Sequence, residues 1–342
     1  MFSVKDLRIE REPTPGALGE GYFNFSDRYS VFDWGEMPDL IPAKGQALAM
    51  MGGYNFELLE EAGLYTHYRG MVEGGDCRLT TQLSSPSDRM AVSLAWRPEL
   101  TYDEGYQYPD LEEVDNYLIP LEVIFRNSIP EGSSIRRRYD PQDLGFDIGR
   151  WPEEELPLSE PLVEYSTKLE EKDRYLEIEE AFQISGLTEG EFDQLEEVAE
   201  KVNAILTDHA EAQGFDHLDG KIECVYSKGK ILVADAVGTF DENRFSWRDF
   251  QISKEVLRQW YRENDPDWYR SLDEGRKLAK QKGSSDWKSF VERDPKPLTP
   301  DFLDLVSKMY RAGTNHWLNK KIFDVEELAK VTEEIKQWVK IH

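Results

Sequence analysis

The stretch HLDGKIECVYSKGKILVAD, residues 217–235, constrains the fold more than any other part of the sequence. Two short runs rich in Ile, Val and Leu flank a Lys-Gly pair, which is the pattern of a β-hairpin. Lys221, Glu223 and Asp235 nevertheless stand among these strand-forming residues. The sequence therefore predicts a hairpin whose ionic side chains need a chemical explanation.

The geometry of the turn decides which of these side chains lie together. With a two-residue turn, Glu223 would face Ala234, and Asp235 would point to the other side of the sheet. With a three-residue loop ending in a left-handed glycine, Lys221 would face Asp235, and all three ionic side chains would share one face. On that face, Glu223 and Asp235 would be diagonal neighbours, close enough to share an ion.

Two interpretations of this ionic group are open. It can be the wet face of a surface hairpin, with an ordinary cross-strand ion pair between Lys221 and Asp235. It can also be a Mg-ATP site, because Mg²⁺ takes one or two carboxylates together with phosphate oxygens and water. The lysine would then neutralise phosphate charge.

Composition excludes several classes of protein. The 342 residues suit one large bilobal unit or two domains, and a net charge of −27 disfavours nucleic acid and anionic membranes as partners. No apolar run approaches the roughly 20 residues that span a membrane, and the N-terminus lacks a signal-peptide pattern. Cys77 and Cys224 form neither a CxxC motif nor a disulfide framework. We expect a cytoplasmic protein.

The chain predicts an α+β architecture. Residues 1–120 favour short strands, with one helix at about 46–62, whereas the polar segment PELTYDEGYQYPDLEEVD favours a loop or an insertion. The clearest helix begins at Thr188, which forms a capping box with Glu191. Helical patterns follow the hairpin and continue to the terminal segment VEELAKVTEEIKQWVK, residues 325–340.

Four blocks, in order along about residues 25–262, carry a resemblance to a known family. They are FSDRYSVFDWGEMPDLIPAKG, IPLEVIFRNSIPEGSS, DGKIECVYSKGKILVADAVGTFDENRF and ISKEVLRQWY. Together they are similar to the blocks of the SAICAR synthetase family, the ATP-dependent ligases of purine biosynthesis. These enzymes join L-aspartate to the carboxylate of carboxyaminoimidazole ribotide.

The resemblance implies a fold of two lobes with ATP in the cleft between them. Residues 1–120 would form a β-rich, kinase-like nucleotide lobe, and residues 121–265 an ATP-grasp-type lobe carrying the Mg-ATP hairpin and substrate residues. Residues 266–342 would be a helical extension packed on the second lobe. The implied ligands are ATP, Mg²⁺, L-aspartate and the ribotide, and the chain could form a homo-oligomer.

The resemblance also implies site residues. Glu223 and Asp235 would hold Mg²⁺, while Lys221 would contact ATP phosphates and act in catalysis with Asp241 and Arg244. The residues implied to bind the other substrates are Asp27, Arg28, Ser30, Lys44, Arg126, Ser133, Ser134, Arg244, Lys254 and Arg258. Gly19 and Gly21 would cover ATP through their backbone.

The match departs from the family pattern at the N-terminus. The family's glycine-lysine pair over the ATP phosphates is replaced by PGALGEGYF, and no lysine occurs between Lys5 and Lys44. An acidic residue that follows the hairpin aspartate in the family is Ala236 here. Two alternatives therefore accompany the ligase hypothesis: a catalytically impaired nucleotide-binding homologue, and a related carboxylate-amine ligase that uses another amino acid.

Overall fold

The described part of the chain contains two large antiparallel sheets with helices packed on them. The structure, a computed structural model, describes residues 4–284 and 286–338. The first sheet has the order β1-β2-β5-β3-β4. Its strands are β1 (Lys5–Arg11), β2 (Gly19–Phe25), β3 (Tyr68–Glu73), β4 (Asp76–Arg78) and β5 (Arg89–Leu94).

The second sheet has the order β10-β9-β8-β11-β13-β14, with β12 also paired to β11. A short hairpin, β6 (Thr101–Tyr102) and β7 (Tyr106–Gln107), lies on the connection between the two large sheets. The strands of the second sheet are β8 (Asn116–Ile129), β9 (Leu156–Thr167), β10 (Tyr175–Leu176), β11 (Asp216–Ser227), β12 (Lys230–Ala234), β13 (Arg244–Trp247) and β14 (Phe250–Ile252).

The helices surround these sheets. They are α1 (Lys44–Glu61), α2 (Ile135–Arg138), α3 (Ile178–Ser185), α4 (Glu189–Ala212), α5 (Glu255–Asn264), α6 (Pro266–Lys282), α7 (Pro300–Trp317) and α8 (Leu328–Lys336). Short 3₁₀ turns occur at Thr80–Gln82, Pro141–Leu144 and Lys288–Phe290. Among residues 4–284 and 286–338, no helix combines the length and apolarity needed to cross a membrane.

The main helix predictions are confirmed. The helix expected at 46–62 is α1, and α4 begins after Thr188, whose backbone N–H donates to Glu191 at 3.0 Å in the expected capping box. The terminal helix is present as α8, although residues 339–340 of the predicted segment lie outside the described residues. Both cysteines are free, as expected.

The hairpin uses the two-residue turn, so the three-residue loop is wrong. Lys228 and Gly229 both have positive φ, 50° and 77°, and Ser227 pairs with Lys230. Positive φ at both central positions gives the turn the twist that antiparallel strands prefer. Glu223 therefore lies opposite Ala234 rather than Val233.

The tail of the chain packs on the first lobe as well as the second. Helix α7 lies along α1, where Ser307 donates to the carbonyl of Pro42 at 2.6 Å and the Trp317 indole donates to Asn55 at 2.7 Å. On its other side, His316 contacts the Gln213 carbonyl beyond the end of α4. The boundary expected at residue 120 falls inside β8, and the three-part division of the chain stays a prediction.

Candidate active site

One face of the second sheet carries most of the ionic residues of the candidate site. Because side chains alternate along a strand, Asp219, Lys221 and Glu223 of β11 share a face. The pairing sets Asp219 opposite Arg126 and Glu223 opposite Glu122 of β8. On the other face of β11, Ile222 and Cys224 are buried, and His217 contacts Thr207 of α4 at 2.9 Å. The sequence pattern thus places these charges together in a water-accessible cleft over a dry core.

Arg126 is held by acids on both sides. Its guanidinium lies 2.6 Å from Glu164 and 3.1 Å from Asp219, which also pairs with Arg244 at 3.0 Å. A third contact joins Arg126 to the Ser134 hydroxyl at 3.3 Å. The structure therefore brings the predicted residues Arg126, Ser134 and Arg244 into one network. Glu164 and Asp219 also belong to this network, and sequence analysis did not predict them.

Lys221 pairs with Glu122, and the expected Lys221–Asp235 cross-strand pair is wrong. The Lys221 ammonium lies 2.6 Å from Glu122 and 3.4 Å from Glu242. Burial alone would lower the pKa of Lys221, but Glu242 and Glu122 outweigh it and raise that pKa well above its usual value. The side chain is thus a fixed positive charge beside the cleft.

The Glu223 and Asp235 carboxylates still lie near each other, for a structural reason that sequence analysis did not predict. Asp235 follows the end of β12 and adopts a positive φ of 67°, which breaks the strand alternation that would have turned its side chain away. Burial, followed by the nearby Asp235 carboxylate, raises the pKa of Glu223 to about 7. This mutual repulsion is the electrostatic condition that a bound cation relieves.

Two lysines lie against this acid pair. Lys5 of β1 contacts Asp235 at 2.8 Å, and Lys168, which follows β9, contacts Glu223 at 2.6 Å. Although burial opposes them, Lys5 and Lys168 lower the pKa of Asp235. Three different parts of the chain therefore meet at these carboxylates.

The acid pair fits a magnesium ion that is shared with a ligand. Within the described part of the chain, no group of three or more His, Cys, Asp and Glu side chains is arranged to hold a metal. A closed protein cage is therefore absent from these residues. Mg²⁺ commonly uses only one or two carboxylates and completes its shell with phosphate oxygens and water. Glu223 and Asp235 could hold it in that way.

A second acid lies deeper, at Asp241. Its carboxylate accepts hydrogen bonds from the Lys44 ammonium at 2.6 Å and the Tyr310 hydroxyl at 2.8 Å, and Lys254 lies 3.9 Å away. Burial would raise the pKa of Asp241, but Lys44 and Lys254 lower it to about 2. Lys44 is fully buried, so this pair is internal to the protein.

A cavity of about 230 Å³ joins the sheet face to this deeper acid. The predicted site residues on its wall are Lys221, Asp241, Arg126, Arg244, Lys254 and Arg258. The wall also carries five acids, which are Glu122, Asp173, Asp219, Asp241 and Glu242. The five basic side chains among the predicted residues can still bind phosphate or carboxylate groups of a ligand of small-molecule size.

Asp27 and Arg28 of the first block lie apart from this cavity, whereas Lys44 of the same block contacts Asp241 on its wall. Asp27 accepts hydrogen bonds from the backbone N–H groups of Ala43 and Gly45, at 3.2 and 3.0 Å, and so fixes the start of α1. Arg28 pairs with Asp6 at 2.6 Å, and both Asp27 and Arg28 line a separate cavity. Contact of Asp27 and Arg28 with substrate stays a prediction.

The remaining predicted positions have visible structural roles. The Ser30 hydroxyl accepts from the N–H of Gly35 at 3.3 Å, and Ser133 is buried. Gly19 and Gly21 lie in β2, where an added Cβ would collide with backbone carbonyls of β1. Packing of β1 on β2 explains the two glycines, and their contact with ATP stays a prediction.

Sequence analysis missed Lys5, Lys168 and Glu122 as members of the site. Glu122 carried a usable signal, since it lies in the block IPLEVIFRN four residues before Arg126, on the same strand face. Lys5 and Lys168 carried no such signal. Their places depend on contacts across 230 and 55 residues of chain, from Lys5 to Asp235 and from Lys168 to Glu223.

The chain is similar to one family of known proteins. Residues 18–274 match the family model described as SAICAR synthetase. A protein from Archaeoglobus fulgidus, provisionally named a phosphoribosylaminoimidazole-succinocarboxamide synthase, is 43% identical over 98% of this chain and 99% of its own. The phosphoribosylaminoimidazole-succinocarboxamide synthase of Thermoplasma volcanium is 31% identical over 84% of this chain and 90% of its own.

Solved structures show the same fold. A SAICAR synthetase in complex with ADP superposes with a TM-score of 0.53 at 25% identity, over 75% of this chain and 88% of the other. The SAICAR synthase of Saccharomyces cerevisiae, solved with SAICAR, gives a TM-score of 0.60 at 20% identity, over 93% and 99%. The family-model match over most of the chain, together with the full-length Archaeoglobus relative, shows that the chain belongs to the SAICAR synthetase family.

Proposed function

We propose that this protein is an ATP-dependent ligase that condenses L-aspartate with the carboxylate of carboxyaminoimidazole ribotide, giving SAICAR, ADP and phosphate. The observation that carries this proposal is the pair of adjoining sites on one sheet face. The acid pair Glu223 and Asp235 suits a metal-bound triphosphate, and the cavity beside it, which is lined by both basic and acidic side chains, offers Arg244, Lys254 and Arg258 to anionic groups of the substrates.

The nucleotide side of the site rests on the acid pair and its lysines. Mg²⁺ held by Glu223 and Asp235 would neutralise charge on the ATP phosphates. Lys5 would supply the positive charge that the missing glycine-lysine pair would have brought from the N-terminus. Its ammonium contacts Asp235, which is one of the two proposed Mg²⁺ ligands. The ADP complex of a 25% identical relative supports nucleotide binding in this family.

The substrate side has to activate a carboxylate. An ionised carboxylate is a poor electrophile, so its phosphorylation to an acyl phosphate must precede attack by the amine of aspartate. This chemistry needs aligned reactants and neutralised charge rather than a protein nucleophile. Arg244, Lys254 and Arg258 would bind the phosphate and carboxylate groups of the substrates, and Lys221 would face the transferred phosphoryl group.

The fold supports a finer assignment of the two lobes. We propose that the five-stranded first sheet with α1 corresponds to a kinase-like nucleotide lobe, and that the second sheet with α4 is of ATP-grasp type. ATP would then lie in the cleft into which Lys5 points from one side and Glu223 from the other.

A direct assay tests the function. Purified protein is incubated with ATP, MgCl₂, L-aspartate and carboxyaminoimidazole ribotide, while ADP is followed by a coupled assay and SAICAR by chromatography. We expect both products in equal amounts, and neither when any substrate is omitted. Formation of neither ADP nor SAICAR would overturn the proposal.

Substrate identity is tested separately with a panel of amino acids. The cations of the cavity favour a dicarboxylate over neutral amino acids. We expect L-aspartate to give the highest kcat/KM. Faster turnover with another amino acid would favour the related-ligase alternative, and ADP binding without any turnover would favour the impaired homologue.

A further inference from the structure

The segment that connects the two sheets reaches across to the candidate active site. We name residues 95–115 the connecting segment and residues 168–174, between β9 and β10, the lysine turn. From the connecting segment, the Tyr108 hydroxyl donates to Glu170 at 2.9 Å. The Tyr106 hydroxyl accepts from the backbone N–H of Glu171, also at 2.9 Å. Both tyrosines therefore hold the lysine turn.

The lysine turn carries a charge at the centre of the site. Lys168, its first residue, bridges two acids, with its ammonium 2.6 Å from Glu223 and 3.1 Å from Glu122. Asp173 of the same turn lines the substrate cavity. A shift of this turn would therefore move a cation relative to the acid pair that is proposed to hold Mg-ATP.

The contact made by Tyr108 is a partly buried hydrogen bond to a buried carboxylate. Glu170 is only 4% exposed, and its carboxylate accepts from Arg174 at 3.0 Å as well as from Tyr108. Removing a partner from a buried carboxylate leaves charge unsatisfied, which favours rearrangement of the segment that carries it. The hydroxyl of Tyr108 thus restricts the conformation of the lysine turn.

The connecting segment is itself held by contacts at both ends, which restrict the positions of Tyr106 and Tyr108. Leu111 packs so closely on Gly186, at the end of α3, that any added Cβ on the glycine would collide with it. At the other end, the Trp96 carbonyl accepts from the N–H of Leu118 at 2.8 Å. Tyr106 and Tyr108 lie between these two anchors.

We propose that Tyr106 and Tyr108 are positioning residues, which act through the lysine turn to keep the Lys168 ammonium between Glu122 and Glu223 where Mg-ATP binds. This inference rests on the proposed function, because it gives Lys168 a part in nucleotide binding. The expected signature is selective: loss of a tyrosine hydroxyl weakens use of Mg-ATP while the KM for aspartate stays constant.

The test is a double-mutant cycle between Tyr108→Phe and Lys168→Met. Each single change should raise the KM for ATP at least about five-fold, and Tyr108→Phe should add little once Lys168 has been replaced. The matched control is Tyr102→Phe on the same short hairpin. Tyr102 is 72% exposed, and its ring, which phenylalanine keeps, packs edge-on against that of Tyr106. Loss of its hydroxyl alone should leave the kinetics equal to those of the unchanged protein.

The outcomes separate positioning from general destabilisation. A loss of folded enzyme would lower kcat and leave both KM values unchanged. An unchanged KM for ATP in Tyr108→Phe would overturn the inference, and so would full additivity with Lys168→Met. If the unchanged protein makes no SAICAR, the proposed function fails by itself. The same cycle is then measured as Mg-ADP affinity by calorimetry, with the same criteria.

Discussion

The two acidic centres of the site differ in how they are neutralised. The Asp241 side chain is only 2% exposed, with Lys44 and Tyr310 as direct partners, and its pKa lies near 2. Glu223 and Asp235 are neutralised by lysines that arrive from separate elements, and the pKa of Glu223 lies near 7. The first is a permanent part of the fold, whereas the second leaves repulsion that a divalent cation would remove. We therefore expect the Lys44–Asp241 pair to contribute mainly to stability, and Glu223 with Asp235 to bind a cation.

The largest expected effect tests whether the Lys44–Asp241 pair stabilises the fold. Lys44→Met leaves the Asp241 carboxylate buried without its main counter-charge, so the free energy of unfolding should fall by roughly 3–5 kcal/mol. Chemical denaturation at neutral pH measures it. Lys201→Met is the control, since Lys201 and Glu197 form an exposed pair at 3.1 Å, and it should change stability by less than about 0.5 kcal/mol. A comparable loss in both variants would contradict the comparison.

The next largest effect tests whether Glu223 and Asp235 bind Mg²⁺. Glu223→Gln removes one of the two carboxylates proposed to bind Mg²⁺, so kcat/KM for ATP should fall about 100-fold, with the midpoint of Mg²⁺ activation moved to higher concentration. Steady-state kinetics over a Mg²⁺ titration measure both. Glu200→Gln, at an exposed position of α4, should leave them unchanged. A variant with unaltered Mg²⁺ dependence would place the metal elsewhere.

The pH dependence separates the two centres further. Glu223 must lose its proton to bind a cation, and its pKa is near 7, so Mg-ADP affinity should rise about tenfold between pH 6 and pH 8 and then level off. Asp241 stays ionised across this range because its pKa is near 2. Calorimetry in buffers of different ionisation enthalpy should show proton release near pH 7. Glu223→Gln should lose most of this dependence.

The smallest effect has the opposite sign from that of Lys44→Met. The folded-state pKa of Glu223 is raised, so its ionised form is disfavoured in the folded protein, and the stability cost grows as pH rises from about 4.5 to 7. At pH 8 and without ligand, Glu223→Gln should therefore raise the free energy of unfolding, by about 1 kcal/mol. A decrease in melting temperature, measured in EDTA, would show that the carboxylate is already well satisfied.

Local patterns predicted what depends on strand and helix periodicity. The capping box at Thr188 and the shared face of Lys221 and Glu223 both follow from neighbouring residues, and both are present. The orientation of Asp235 could not be predicted this way, because a single positive φ at the end of β12 overrides the alternation.

Long-range contacts were beyond sequence reasoning for a different reason. Lys5 is one lysine in an exposed edge strand, and Lys168 follows a strand with no recognisable motif. Only the packing of β1 and of the lysine turn over β11 brings them to the acids. The family resemblance covered the residues of the sheet face, whereas Tyr310, which completes the deep centre, lies in a helix outside the matched residues 18–274.

The contact between Tyr310 and Asp241 has a consequence for synthesis of the chain. A ribosome must release α7 before Asp241 acquires its second hydrogen-bond partner, so the nascent protein lacks this contact until that helix emerges. A chain that stopped between residues 235 and 310 would contain Glu223 and Asp235 but would lack the Tyr310 hydroxyl that donates to Asp241. Completion of the deep centre therefore depends on a helix that is synthesised after Lys44, Asp241 and Lys254.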